Sequence, residues 1–118
     1  SKRQTSEEVA KRLPVSVLEE FYHVPLNIAA RELSVSLTML KKLCRQYGIK
    51  RWPHRQVSSL NKSLGKLEEK ILGASDDKAA AALRAKAGPL RTKRELIIKT
   101  ASAGLDPDVL NAVFAARP

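Results

Sequence analysis

The chain has 118 residues, 43% of them apolar and only 4% aromatic, enough for one small domain with a modest core and at most an appendage. Its net charge of +10 is unevenly spread: residues 31–62 hold eight Lys or Arg against the single acid Glu32, while the remaining 86 hold fourteen bases against eleven acids. Such a local excess attracts a polyanion. There is no long apolar run, lipidation signal or secretory signal, which disfavours a membrane as that polyanion. Cys44 stands alone, and His23 and His54 lie far apart without spaced partners, so neither an intrachain disulfide nor a metal site is expected. With no acid–base pair, nucleophile constellation or phosphate-cradling glycine loop, the sequence gives no reason to expect an enzyme, a cofactor or a small-molecule substrate.

Abundant Ala and Leu with few aromatics favour an all-α chain. Residues 1–13 read as an N-terminal helix or flexible arm, capped by Thr5 or Ser6, with Val9 and Leu13 on one face. Pro14 breaks that run, and Ser16–Glu19 reads as a capping box opening a short helix through about Tyr22. Pro25 suits the first turn of a segment running through Leu33, whose inner face is Leu26, Ala29, Ala30 and Leu33. The small pair Ala29–Ala30 allows another helix to approach closely. Ser34-Val35-Ser36 is then a tight turn, with Ser36 capping the next helix and Val35 as its buried plug.

The helix over 37–47 is the centre of the functional reading. At 100° per residue Thr38, Lys41, Lys42 and Arg45 form one stripe, and Leu40, Leu43, Cys44 and Tyr47 take the opposite side. One face can be buried while the other presents three cations and a hydroxyl, as a recognition helix in a major groove must. On its own such a stripe is also common on an ordinary solvated helix. Gly48 supplies the positive φ that ends the helix, and Ile49 folds back on its apolar side. In Lys50-Arg51-Trp52-Pro53-His54-Arg55 the proline stiffens the connection and pushes Trp52 into an extended conformation. A lone Trp in so small a domain usually packs, so Leu40, Cys44, Trp52 and Pro53 are read as structural anchors holding Lys50, Arg51, His54 and Arg55 at defined positions.

Val57, Leu60, Leu64, Leu67 and Ile71 follow at alternating spacings of three and four, a heptad seam over residues 57–74. The seam lasts just over two heptads and contains Gly65, so it reads either as a surface for a homodimer or heterodimer or as a helix packed back on its own core. Lys62 lies away from it, near enough to its start to touch a phosphate. Residues 75–118 read as a helical appendage: an Ala-rich helix to Ala87, a break at Gly88-Pro89, a capping box at Thr92–Glu95 and a stop at Gly104. A last helix capped by Asp106-Pro107 runs to about Ala116, with Val109, Leu110, Val113 and Phe114 inside.

Phe21-Tyr22-His23-Val24-Pro25-Leu26, Ala29-Ala30-Arg31-Glu32-Leu33, Leu40-Lys41-Lys42-Leu43-Cys44-Arg45, Gly48-Ile49 and Arg51-Trp52-Pro53 with Arg55 together resemble the RWP-RK domain of plant and green-algal transcription factors. The likeness covers roughly residues 16–62, and its blocks agree in order and separation. It implies a helix-turn-helix-like DNA-binding domain over 14–62 in a nuclear regulator, of a family tied to nitrogen response and to gamete or egg-cell differentiation. By that resemblance Lys41, Lys42, Arg45, Arg51 and Arg55 are the DNA contacts. Three positions depart from the pattern: Gln56 stands for the signature's final lysine, Ser34 for a turn glycine and Ser36 for a frequent cysteine. Gln56 thereby becomes a neutral hydrogen-bonding candidate at the interface.

The favoured reading is therefore sequence-specific binding of double-stranded DNA. A basic helical RNA-binding module is the first alternative, disfavoured because the stripe holds no exposed aromatic for base stacking. A protein-interaction module using residues 57–71 and the C-terminal helices is the second.

Overall fold

The computed structural model describes residues 5–110; six α-helices run from Ser6 to Ser102 among them, and a further helical stretch opens at 108–110. α1 (Ser6–Arg12) starts where Thr5 Oγ1 accepts the Glu8 N–H at 3.2 Å. α2 (Val15–Glu19) starts straight after Pro14 without any side-chain cap, so the expected capping box at Ser16 does not form. Pro14, at φ −66° and ψ 165°, already occupies the capping position and leaves Ser16 inside the first turn. α3 (Leu26–Glu32) is entered through Pro25, which sits one residue earlier than expected, at the cap itself. α4 (Leu37–Tyr47) has the expected bounds, with Ser36 Oγ accepting the Met39 N–H at 3.0 Å.

Three helix ends share one backbone solution. After α3, Val35 N–H reaches Ala30 O at 3.0 Å; after α4, Ile49 N–H reaches Cys44 O at 2.8 Å. After α6 (Asp77–Ser102), Leu105 N–H reaches Thr100 O at 3.1 Å. Each such closure needs one left-handed residue, and these are Ser34 (φ 59°), Gly48 (φ 78°) and Gly104 (φ 85°). Only Ser34 carries a Cβ in that region, where an L side chain is disfavoured. Ser34→Gly is accordingly expected to stabilise the chain by roughly 0.5–1 kcal/mol, the relieved strain less the added chain entropy, read as a higher urea midpoint.

The C-terminal half departs from expectation in two ways. α5 (His54–Leu72) begins at His54, so His54, Arg55 and Gln56 form its first turn and are not part of a stiff connector. Pro53, buried and at ψ 37°, turns the chain into that helix. No break occurs at Gly88-Pro89: α6 runs unbroken through Pro89, and Thr92–Glu95 lies in mid-helix. A proline inside a helix costs about 3 kcal/mol relative to alanine, which the flanking Ala, Leu, Lys and Arg and the packing on α5 offset. Asp76 Oδ1 caps α6 by accepting the Ala79 N–H at 2.7 Å.

α5 and α6 pack as the most extensive helix pair, with buried Val57, Leu60 and Leu64 on one and Ala80, Ala87, Ile97 and Ala101 on the other. Arg94 Nη1 donates to Asn61 Oδ1 across them at 2.7 Å. The heptad seam is thus occupied from within for Val57, Leu60 and Leu64; small alanines on α6 let α5 approach closely. Leu67 and Ile71 are half-buried and Leu72 is exposed. Ile97 and Ala101 belong to the same buried cluster as Val9, Leu18, Tyr22, Leu40 and Leu43. Residues after 75, read as an appendage, therefore contribute to the principal core. Val109, expected inside, is exposed, while Leu110 packs against that core; Val113 and Phe114 lie outside the described residues.

Candidate nucleic-acid interface

α4 divides as its periodicity requires. Leu40 and Leu43 are fully buried and Cys44 nearly so, whereas Thr38, Lys41, Lys42 and Arg45 are exposed. Tyr47 fixes the helix to α1, its hydroxyl donating to Leu13 O at 2.6 Å with Ala10 O at 3.2 Å. α3 lies against α4 across the short turn at Ser34–Ser36. Among the described residues Lys41, Lys42 and Arg45 form no ion pair. Lys41, Arg45 and Lys50 line one cleft of about 250 Å³, floored by Leu26, Cys44, Ile49 and Trp52. Burial pushes the Cys44 thiol up to about 11, so at neutral pH it is an inert apolar surface.

Trp52 is an anchor. Its indole N–H donates to Val24 O at 2.8 Å, and its ring meets Tyr22 edge-on, centroids 4.8 Å apart and planes at 81°. Tyr22 is fully buried, which pushes its hydroxyl up to about 12. The hydroxyls of Tyr22 and Ser102 lie 2.8 Å apart, and Ser102 in turn donates to Glu19 Oε2 at 2.6 Å, joining α6 to the N-terminal helices.

Arg51 is placed differently from the sequence reading. It lines a second cleft of about 390 Å³, with Arg55, Gln56 and Ser59 of α5, Lys93 of α6 and Asp108, apart from the Lys41–Arg45–Lys50 cleft. Its Nη1 pairs with Asp108 Oδ2 at 3.0 Å and Asp106 Oδ2 at 3.5 Å. Gln56, read as a candidate DNA contact, turns inward and donates through Nε2 to Asp108 Oδ1. His54 is half-buried, Arg55 and Lys62 are exposed. The α4 stripe is intact, and the cations line two clefts: Lys41, Arg45 and Lys50 with Trp52 in one, Arg51, Arg55 and Lys93 in the other.

With this geometry in hand, a family model described as the RWP-RK domain matches residues 4–101. The chain belongs to the RWP-RK domain family. The match extends beyond the 16–62 on which the sequence likeness rested and takes in α1, α5 and nearly all of α6, the helices that close the core. Protein RKD1 of Arabidopsis thaliana is 46% identical over 61 residues, 52% of this chain and 23% of its own length. Protein RKD5 of Arabidopsis thaliana is 36% identical over 100 residues, 83% of this chain and 27% of its own. Protein NLP3 of Oryza sativa subsp. japonica is 39% identical over 80 residues, 68% of this chain and 8% of its own. The chain thus spans about a quarter or less of the length of these relatives. No solved structure matches it.

In this RWP-RK domain the signature Arg51-Trp52-Pro53 serves two ends: Trp52 and Pro53 pack, and Arg51 projects beside them. In sequence Asp106 reads only as part of a helix cap, and Asp108 carries no signal of its own. Their role at Arg51 had no local signal, since more than fifty residues separate them from it in sequence.

Proposed function

We propose that this chain binds duplex DNA sequence-specifically as the DNA-binding part of a nuclear transcription factor. α3, the Ser34–Ser36 turn and α4 act as a helix-turn-helix-like unit that places α4 in the major groove. One observation carries this reading: Thr38, Lys41, Lys42 and Arg45 are exposed on a helix whose other face is buried, and the three cations have no partner among the described residues. Lys and Arg so held neutralise phosphates and read guanine edges. Lys50, Arg55 and Lys62 are further exposed cations, Arg51 is exposed but paired with Asp106 and Asp108, His54 offers a polar contact, and Gln56 turns towards Asp108.

Arg45→Ala is expected to cost about 1–3 kcal/mol on a duplex selected from a random library, and less on random-sequence DNA. Titrating both duplexes against both proteins at fixed salt checks this; equal losses would reduce Arg45 to a phosphate clamp. Competition with RNA of matched charge decides against the RNA alternative if duplex DNA displaces it.

Pairing of two copies, or of this chain with a relative, through residues 57–74 would use the end of α5 beyond Leu64, since Val57, Leu60 and Leu64 are already buried. There Leu67 and Ile71 are half-buried and Leu72 is exposed. A protein of unchanged monomer mass bound to a single half-site removes that part of the reading.

A further inference from the structure

Beyond the helix pair, the chain turns at Gly104 against the end of α4 and brings Asp106 and Asp108 to Arg51 and Gln56. The approach at Gly104 is so close that a Cβ there would stand 2.7 Å from Gly48 O. Pro107 is fully buried and Leu110 packs against the core, so the segment is docked at both ends. Between these anchors the two carboxylates are themselves fixed: Asp106 Oδ1 accepts the Asp108 N–H at 3.0 Å. Asp106 Oδ2 and Asp108 Oδ2 then both take Arg51 Nη1, and Asp108 Oδ1 takes Gln56. All four carboxylate oxygens are thereby engaged, two of them at Arg51 Nη1. Arg51 Nη2 and Nε have no partner among the described residues, and its side chain remains 54% exposed.

We propose that Asp106 and Asp108 are positioning residues for base recognition: they hold the Arg51 fork in one orientation and present its outer edge to the DNA. This rests on the duplex-binding reading above. A long arginine loses rotamer freedom on forming a bidentate contact, and a side chain held beforehand loses less. The same carboxylates repel phosphates, so their net effect is to lower affinity for any backbone while favouring the duplex that Arg51 fits. Gln56 belongs to this bracket, its amide donating to Asp108 Oδ1.

The experiment uses the full chain and two probes of equal length, a duplex selected from a random library and a random-sequence duplex. The Asp106→Asn, Asp108→Asn double variant preserves shape and removes charge. Its ratio of selected to random affinity is expected to fall about tenfold, with random affinity rising. In an Arg51→Ala background the same Asn substitutions are expected to leave the ratio unchanged, and Asp108→Glu, which keeps the charge, to retain most of it. A double variant that binds both duplexes more tightly by the same factor would overturn the proposal, because the carboxylates would then act as charge alone. A wild-type chain that does not distinguish the two duplexes at all would remove the DNA reading itself and the proposal with it. Unfolding midpoints of all variants confirm that the comparison is made on folded protein.

Discussion

Trp52→Ala is expected to lower the stability of the chain by about 3–4 kcal/mol. Truncating a buried aromatic to alanine costs about 3–5 kcal/mol, and the half-exposed ring of Trp52 takes the lower part of that range. A further contribution comes from Val24 O, which loses the 2.8 Å bond from the indole and is left without its partner. The edge-on contact with Tyr22 is lost as well. Since a small domain has only about 5–15 kcal/mol in all, the change moves the urea midpoint far, as followed by far-UV circular dichroism. Trp52→Phe keeps a ring against Tyr22 but no N–H, so it is expected to lose roughly 1–2 kcal/mol. If Trp52 instead served to stack on nucleic acid, both variants would unfold within about 0.5 kcal/mol of wild type and only DNA affinity would drop.

The N-terminal half was legible because its information is local. Thr5, Ser36 and Gly48 act within three or four residues of themselves, and the two faces of α4 follow from spacing alone. Ser34 was flagged by its departure from a turn glycine, and its φ of 59° shows the strain that the flag implied. Residues 54–110 were less legible because tertiary packing overrides local preference there. Gly88-Pro89 reads as a break in any isolated segment, yet α6 continues because its buried alanines and Ile97 are held against α5 and the core. The heptad spacing of α5 correctly marked a buried face, but spacing cannot say whether the partner is another copy or the same chain. At the candidate site the α4 stripe could be read from periodicity, whereas the capture of Arg51 and Gln56 by Asp106 and Asp108 could not. That contact spans 52 to 57 positions, exists only once α6 has returned the chain to α4, and leaves no periodic trace.

The same return of the chain sets the second large effect. Gly104→Ala is expected to destabilise by about 2–4 kcal/mol, from the left-handed backbone and from overpacking together. Gly48→Ala provides the control. Both glycines end a helix at positive φ, 78° and 85°, but around Gly48 an added Cβ meets nothing within 4 Å, whereas at Gly104 it meets Gly48 O at 2.7 Å. Backbone strain alone therefore predicts about 1–2 kcal/mol at Gly48, and the excess at Gly104 isolates the close approach. Gly48 O has little room to retreat, because Gly48 N–H and Ile49 N–H are committed to Arg45 O and Cys44 O in closing α4. The movement must fall on residues 104–108, pulling Pro107 out of its buried site and Asp106 and Asp108 away from Arg51. Urea unfolding of the two variants side by side measures the difference. Equal losses at Gly48 and Gly104 would mean that the segment does not press on the end of α4, and the bracket around Arg51 would lose its foundation.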